Sequence, residues 1–166
     1  ALKVSAPPLT PSESPFFVRA MLSAFLYVGP QIQALCLSHN PGITAFPHGC
    51  CDLLPNLKSL TLSGLALREL PEAITALSSL QLLIADKNLL SILPKTIVSL
   101  THLKTLDLAS NAFFEPPPTS ILPSSLQSLS LANNALATLP PTFLQNQPNL
   151  FMLDLSGNDF LVSSSS

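Results

Sequence analysis

Leu103-Lys104-Thr105-Leu106-Asp107-Leu108-Ala109-Ser110-Asn111-Ala112-Phe113 is the stretch whose reading decides the fold. Its apolar positions end in a strict alternation, Leu106-Asp107-Leu108, the pattern of a short strand with one face buried and the other in water. Asn111 follows three residues later. An amide there is costly to bury unless both its donor and its acceptor are used, and the exposed backbone of a stacked neighbour offers partners for both. The stretch therefore makes sense as one rung of a stack.

The same register recurs along the chain as Ile32, Leu35, Leu37, Asn40; Leu57, Leu60, Leu62, Leu65; Leu80, Leu83, Ala85, Asn88; Leu126, Leu129, Leu131, Asn134; and Leu150, Leu153, Leu155, Asn158. With the opening stretch this makes six copies, whose starts at 32, 57, 80, 103, 126 and 150 are separated by 25, 23, 23, 23 and 24 residues. That is the period of one strand plus one return segment. The pattern Leu-x-x-Leu-x-Leu-x-x-Asn, cleanest at residues 103 to 111 and 126 to 134, resembles that of the leucine-rich repeat family. The resemblance covers Ile32 to Phe160, 129 of 166 residues. It implies an α/β solenoid: a curved right-handed coil with short parallel strands on its concave face and short helical or extended returns on its convex face.

At 47% hydrophobic and 10% charged residues, the 166-residue chain is composed to fold around one buried core. A net charge of -2 and scattered Lys and Arg residues, from Lys3 to Lys104, disfavour nucleic acid as a partner. The longest apolar run, Phe16 to Val28, is 13 residues and contains Arg19, so no transmembrane segment is expected. Cys36, Cys50 and Cys51 are odd in number, paired cysteine caps are missing, and no Asn-x-Ser/Thr sequon occurs. These absences lean toward an intracellular compartment. The chain begins at Ala1 and not at Met, which keeps a secreted or organellar setting open.

Taken in order, residues 1–14, with Pro7, Pro8 and Pro11, read as an extended arm without regular pairing. Ser14-Pro15 is a helix start and Gly29-Pro30 a stop, which predicts an N-terminal capping helix within 15–31, apolar nearly all round as an internal helix would be. Residues 32–160 hold the repeats and 161–166 a Ser-rich tail or truncated end. The returns at Leu70-Pro71 and Leu93-Pro94 predict a helical turn with inward Ile74 and Ile97. Those after Phe46-Pro47 and Leu139-Pro140 are longer, which leaves cytoplasmic and extracellular subfamilies both open. Pro116-Pro117-Pro118 predicts an extended return in the fourth copy.

The sequence carries no Gly-rich phosphate loop, nucleophile elbow or His-Glu-x-x-His, so no catalytic residues and no cofactor are assigned. Cys36, His39, His48, Cys50 and Cys51 are of types that suit zinc, but the fold places the last three in a return roughly 10 Å or more from the first strand, and no metal site is assigned. Two sets of residues remain. Asn40, Asn88, Asn111, Asn134 and Asn158 form a structural ladder, with Asn88, Asn111 and Asn134 buried and Leu65 leaving a gap. Leu82, Ile84, Asp86, Lys87, Thr105, Asp107, Ser128, Ser130, Met152 and Asp154 alternate with the buried leucines and point off the concave face, which relatives use for binding. Leu82 and Ile84 are the apolar members of that wet face.

The expectation is a non-enzymatic module or scaffold that binds a protein partner through this surface. The rival is a structural building block of a larger assembly or filament, self-associating through a bare C-terminal repeat edge, Leu150 to Val162. A further alternative is the substrate-recognition part of a longer enzyme.

Overall fold

The structure, a computed structural model, describes residues 2–5, 14–40 and 42–160. Seven parallel strands lie in chain order in one open sheet: β1 Leu2–Ser5, β2 Ile32–Cys36, β3 Ser59–Thr61, β4 Leu82–Ile84, β5 Thr105–Asp107, β6 Ser128–Ser130 and β7 Met152–Asp154. Each strand is short because only its central residue needs to be buried. Leu83, for example, is wholly buried while Leu82 and Ile84 on either side are half-buried. Register is uniform, with Leu60, Leu83, Leu106, Leu129 and Leu153 aligned across the sheet. The ladder bonds run from coil to coil, as in Leu82 N–H to Lys58 O at 3.0 Å and Ala85 N–H to Asp107 O at 2.9 Å.

Leu57, Leu60, Leu62 and Leu65, at 0% exposure, and their buried equivalents in the neighbouring coils fill the space between the sheet and the returns. Two returns are short 3-10 helices, Glu72–Ala76 and Lys95–Ser99, each following a proline and burying its isoleucine, Ile74 or Ile97. A third 3-10 helix, His48–Leu53, buries Cys50 and Cys51. Pro116 to Pro118 are not helical, consistent with three nitrogens that carry no hydrogen and with the bias each proline puts on the residue before it away from the helical region.

The amino-terminal residues depart from their sequence reading. Leu2–Ser5 is not an unpaired arm: it pairs in parallel with β2, Val4 opposite Leu35 and Ser5 opposite Cys36. The prolines begin only at Pro7, so they do not obstruct pairing of the four residues before them. The helix α1 spans Ser14–Val28 and packs beside the His48–Leu53 turn. It is not an internal helix. Met21 and Phe25, one turn apart, are buried, whereas Leu26 and Tyr27 are 66% and 83% exposed. The chain leaves α1 through Gly29, where a Cβ would lie 2.0 Å from the Leu53 carbonyl oxygen, so only glycine allows that approach.

Candidate functional site: the concave sheet face

Sheet register arranges the sequence-assigned residues in two rows. Leu82, Thr105, Ser128 and Met152 face one another across β4 to β7, and Ile84, Asp107, Ser130 and Asp154 form the parallel row. Asp86 and Lys87 follow β4 at its carboxyl end. The surface has few anchors. Leu82 and Ile84 are half-buried by their neighbours on the sheet, and the more open apolar member is Met152, 55% exposed on β7.

The carboxylates on this face are held differently. Asp154 Oδ1 accepts from the Ser156 hydroxyl at 2.7 Å and the Ser156 N–H at 3.0 Å, and these bonds to the charged form keep its carboxyl below the ordinary aspartate range. Asp107 Oδ1 accepts from Ala109 N–H at 3.0 Å. Asp86 Oδ1 is shielded from solvent without a hydrogen-bond partner among the described residues.

Behind the face run the asparagines. Asn88 is buried, accepts from the N–H groups of Leu65 and Leu67 at 3.1 and 3.0 Å, and donates to Leu62 O in the preceding coil at 2.8 Å. Asn134 accepts from Phe113 N–H and donates to Leu108 O. Asn158 accepts from Leu136 N–H and donates to Leu131 O. Asn111 makes the same pair of contacts, to Leu90 N–H and Ala85 O, but it is half-buried and not fully enclosed. Asn40 is buried and donates to Leu37 O at 2.9 Å. The residue before each ladder position is left-handed: His39, Gly64, Lys87, Ser110, Asn133 and Gly157 all have φ between 51° and 67°. Leu65 occupies the ladder position of the second coil, fully buried, and there Ala66 is left-handed as well, at φ 59°.

The cysteines do not gather. Cys36 is half-buried on β2, with its Sγ 3.5 Å from Ser38 Oγ, while Cys50 and Cys51 lie buried in the return. Burial, reinforced by the neighbouring Cys51, pushes the Cys50 thiol up to about 12. Burial and the adjacent Asp52 push Cys51 up to about 11. Thiols that resist ionisation are poor metal ligands. Among the described residues no three His, Cys, Asp or Glu side chains are grouped to hold a metal ion, and no helix is long and apolar enough to cross a membrane.

The return side carries what the sequence reading missed. Ile92 and Phe114 are 69% and 71% exposed and line one hollow of about 540 Å³ with Pro116 to Pro118. Aligning the copies position by position would have exposed both. Ile92 stands where Glu69 and Thr138 precede the other Leu-Pro pairs, and Phe114 stands where Arg68, Ser91 and Ala137 stand.

The comparisons agree with this geometry. A leucine rich repeat family model matches residues 101–160. The InlP protein of Listeria monocytogenes is similar in structure, with a TM-score of 0.62 and 27% identity over 74% of this chain and 33% of its own. So is a leucine-rich repeat protein of Leptospira interrogans, with a TM-score of 0.62 and 30% identity over 77% of this chain and 38% of its own. This chain belongs to the leucine-rich repeat family. It spans between 33% and 38% of the length of those leucine-rich repeat proteins. A search of curated proteins gave no match. Leucine-rich repeat domains are generally protein-interaction modules and generally not enzymes, which is the extent of what membership says about function.

Proposed function

We propose that this leucine-rich repeat chain is a non-enzymatic module that binds a protein partner through the concave sheet face, with Leu82 and Ile84 at the centre of contact. The observation that carries the reading is the pair of side-chain rows fixed by the strand register, in which two branched apolar groups are ringed by Thr105, Asp107 and Asp86. Apolar anchors within a polar surround are where binding energy concentrates. The test is affinity capture from the source organism's lysate by the chain and by Ile84→Asp, with circular dichroism to show that the variant is folded. A partner held by the parent and released by the variant supports the reading. Unchanged capture by a folded variant rejects it.

A second reading, assembly through the C-terminal edge, is favoured by one observation. β7 hydrogen-bonds only to β6 among the described strands, and Leu150, Leu153 and Leu155 are half-buried where Leu126, Leu129 and Leu131 are fully buried. A strand added to that edge would complete both the ladder and the core. Sedimentation of the chain at rising concentration tests it: dimers lost on Met152→Glu support assembly, and a monomer throughout rejects it.

A further inference from the structure

Three hollows lie side by side on the return side and together make a segmented trench. The first, of about 540 Å³, shares Ile92, Leu93 and Lys95 with a second of about 610 Å³ that reaches Glu69 and Glu72. It also shares Pro116, Pro117 and Pro118 with a third of about 230 Å³ that reaches Phe143. The trench therefore crosses successive coils, and its cause is local. The proline run replaces the 3-10 turn seen in the two preceding returns, and Phe114 is turned outward beside it.

The walls determine what could lie there. Prolines have no N–H to donate, so along the middle of the trench the proline run offers apolar ring surface and carbonyl acceptors alone. Ile92 and Phe114, both more than two-thirds exposed, flank that middle section. Charge is uneven. Glu69, Glu72 and Glu115 line the trench against one ammonium, Lys95, and the Thr96 hydroxyl already donates to the Glu72 carboxylate and fixes it in place. Glu69 and Glu72 sit together at the end away from the prolines. An anionic lipid surface would be repelled by such a rim, whereas a cationic side chain would be drawn to it.

The geometry points to a peptide-docking trench, separate from the concave face, that takes an extended segment with an apolar side chain between Ile92 and Phe114 and a basic residue against Glu69 and Glu72. Extended segments gain specificity from a few side-chain pockets, which is the division of labour found here. The proposal stands whether or not the concave face binds a partner.

The experiment is titration of the ¹⁵N-labelled chain with three synthetic heptapeptides: acetyl-Arg-Lys-Ser-Leu-Pro-Phe-Ser-amide, the same peptide with Glu-Glu for Arg-Lys, and the same peptide with Ser for both Leu and Phe. Amide shifts at Ile92, Lys95 and Phe114 are expected with the first, with affinity about tenfold weaker for each of the other two. Glu69→Lys, which balances the trench charge, should abolish the preference for the basic peptide over the acidic one. Ile92→Glu, at an exposed position that should leave the fold intact, should weaken the first peptide to the level of the third. No shift at millimolar peptide, shifts confined to Leu82 and Ile84, or equal affinity for the basic and acidic peptides would each overturn the proposal.

Discussion

Asn111 and Leu90 are joined across two coils: the Asn111 side-chain oxygen accepts the Leu90 N–H at 2.9 Å while its amide nitrogen donates to Ala85 O at 3.0 Å. One side chain thus serves two backbone groups of the preceding turn that strand pairing does not reach. Such a link is worth most where water cannot replace it.

Asn88→Ala is therefore expected to destabilise more than Asn111→Ala. Asn88 is buried and its oxygen serves two amides, those of Leu65 and Leu67, whereas Asn111 is half-buried and serves one. Unpaired buried polar groups cost about 1–3 kcal/mol, so Asn88→Ala should fall at the upper end and Asn111→Ala at the lower. Denaturant titration of both variants checks the order. Equal midpoints would count against the ladder as a source of stability.

Ser110 has φ 54°, a conformation that costs a side chain about 1–2 kcal/mol relative to the right-handed form. Ser110→Gly should relieve part of that, offset by the greater freedom of glycine when unfolded, and leave stability unchanged or raised by about 0.5 kcal/mol. Ser110→Val, β-branched in the same conformation, should lower it by about 2 kcal/mol or more. Thermal unfolding of the pair gives the comparison. A valine variant as stable as the glycine variant would remove the strain argument.

The two buried thiols give a pH dependence of definite sign. Cys50 and Cys51 ionise near 12 and 11 when folded, against an ordinary value of 9.0. Below pH 9 both are protonated whether folded or unfolded, so that stability is fully present. Above it the unfolded chain ionises first and binds fewer protons, so stability should fall as pH rises from 9 toward 12. Cys50→Ala/Cys51→Ala should flatten that part of the profile in chemical denaturation. The same burial predicts that iodoacetamide modifies Cys36 in the native chain and reaches Cys50 and Cys51 only after unfolding.

Hydrogen exchange should grade along the stack. β4 is paired on both sides with its central leucine fully buried, whereas β7, among the described strands, is paired with β6 alone and Leu153 is half-buried. Amides of Met152 to Asp154 should exchange faster than those of Leu82 to Ile84. Uniform protection across both strands would mean that the last coil is as firmly held as the middle.

The coil register was readable from the sequence because it rests on one-dimensional facts: which residues are leucine, and how far apart they fall. That is why the aligned row from Leu60 to Leu153 could be written from spacing alone. What spacing does not encode is how much each outward side chain is shielded by its neighbours. Leu82 and Ile84 read as conspicuous on a wet face, yet lateral packing half-covers them, and the more open groups, Ile92 and Phe114, stand on the returns. The same limit explains β1. Pairing of Leu2–Ser5 depends on a free edge at β2, a property of the assembled sheet that no local pattern in Leu2-Lys3-Val4-Ser5 announces.

Leu65 has a consequence for the solenoid as a mechanical object. In a stack, stability is close to a sum over neighbouring interfaces, so the weakest interface decides where the stack parts. From Asn88 onward an asparagine side chain stitches each coil to the one before it. Between the second coil and the first, a leucine can supply no such stitch, and beside the ladder bonds the described residues show Asn56 donating to Pro30 O at 2.8 Å and Ser63 N–H donating to Ser38 Oγ at 3.2 Å. Pulled from its two ends, the chain should open at this seam first, releasing β1, α1 and the first coil as one unit while the asparagine-stitched coils hold.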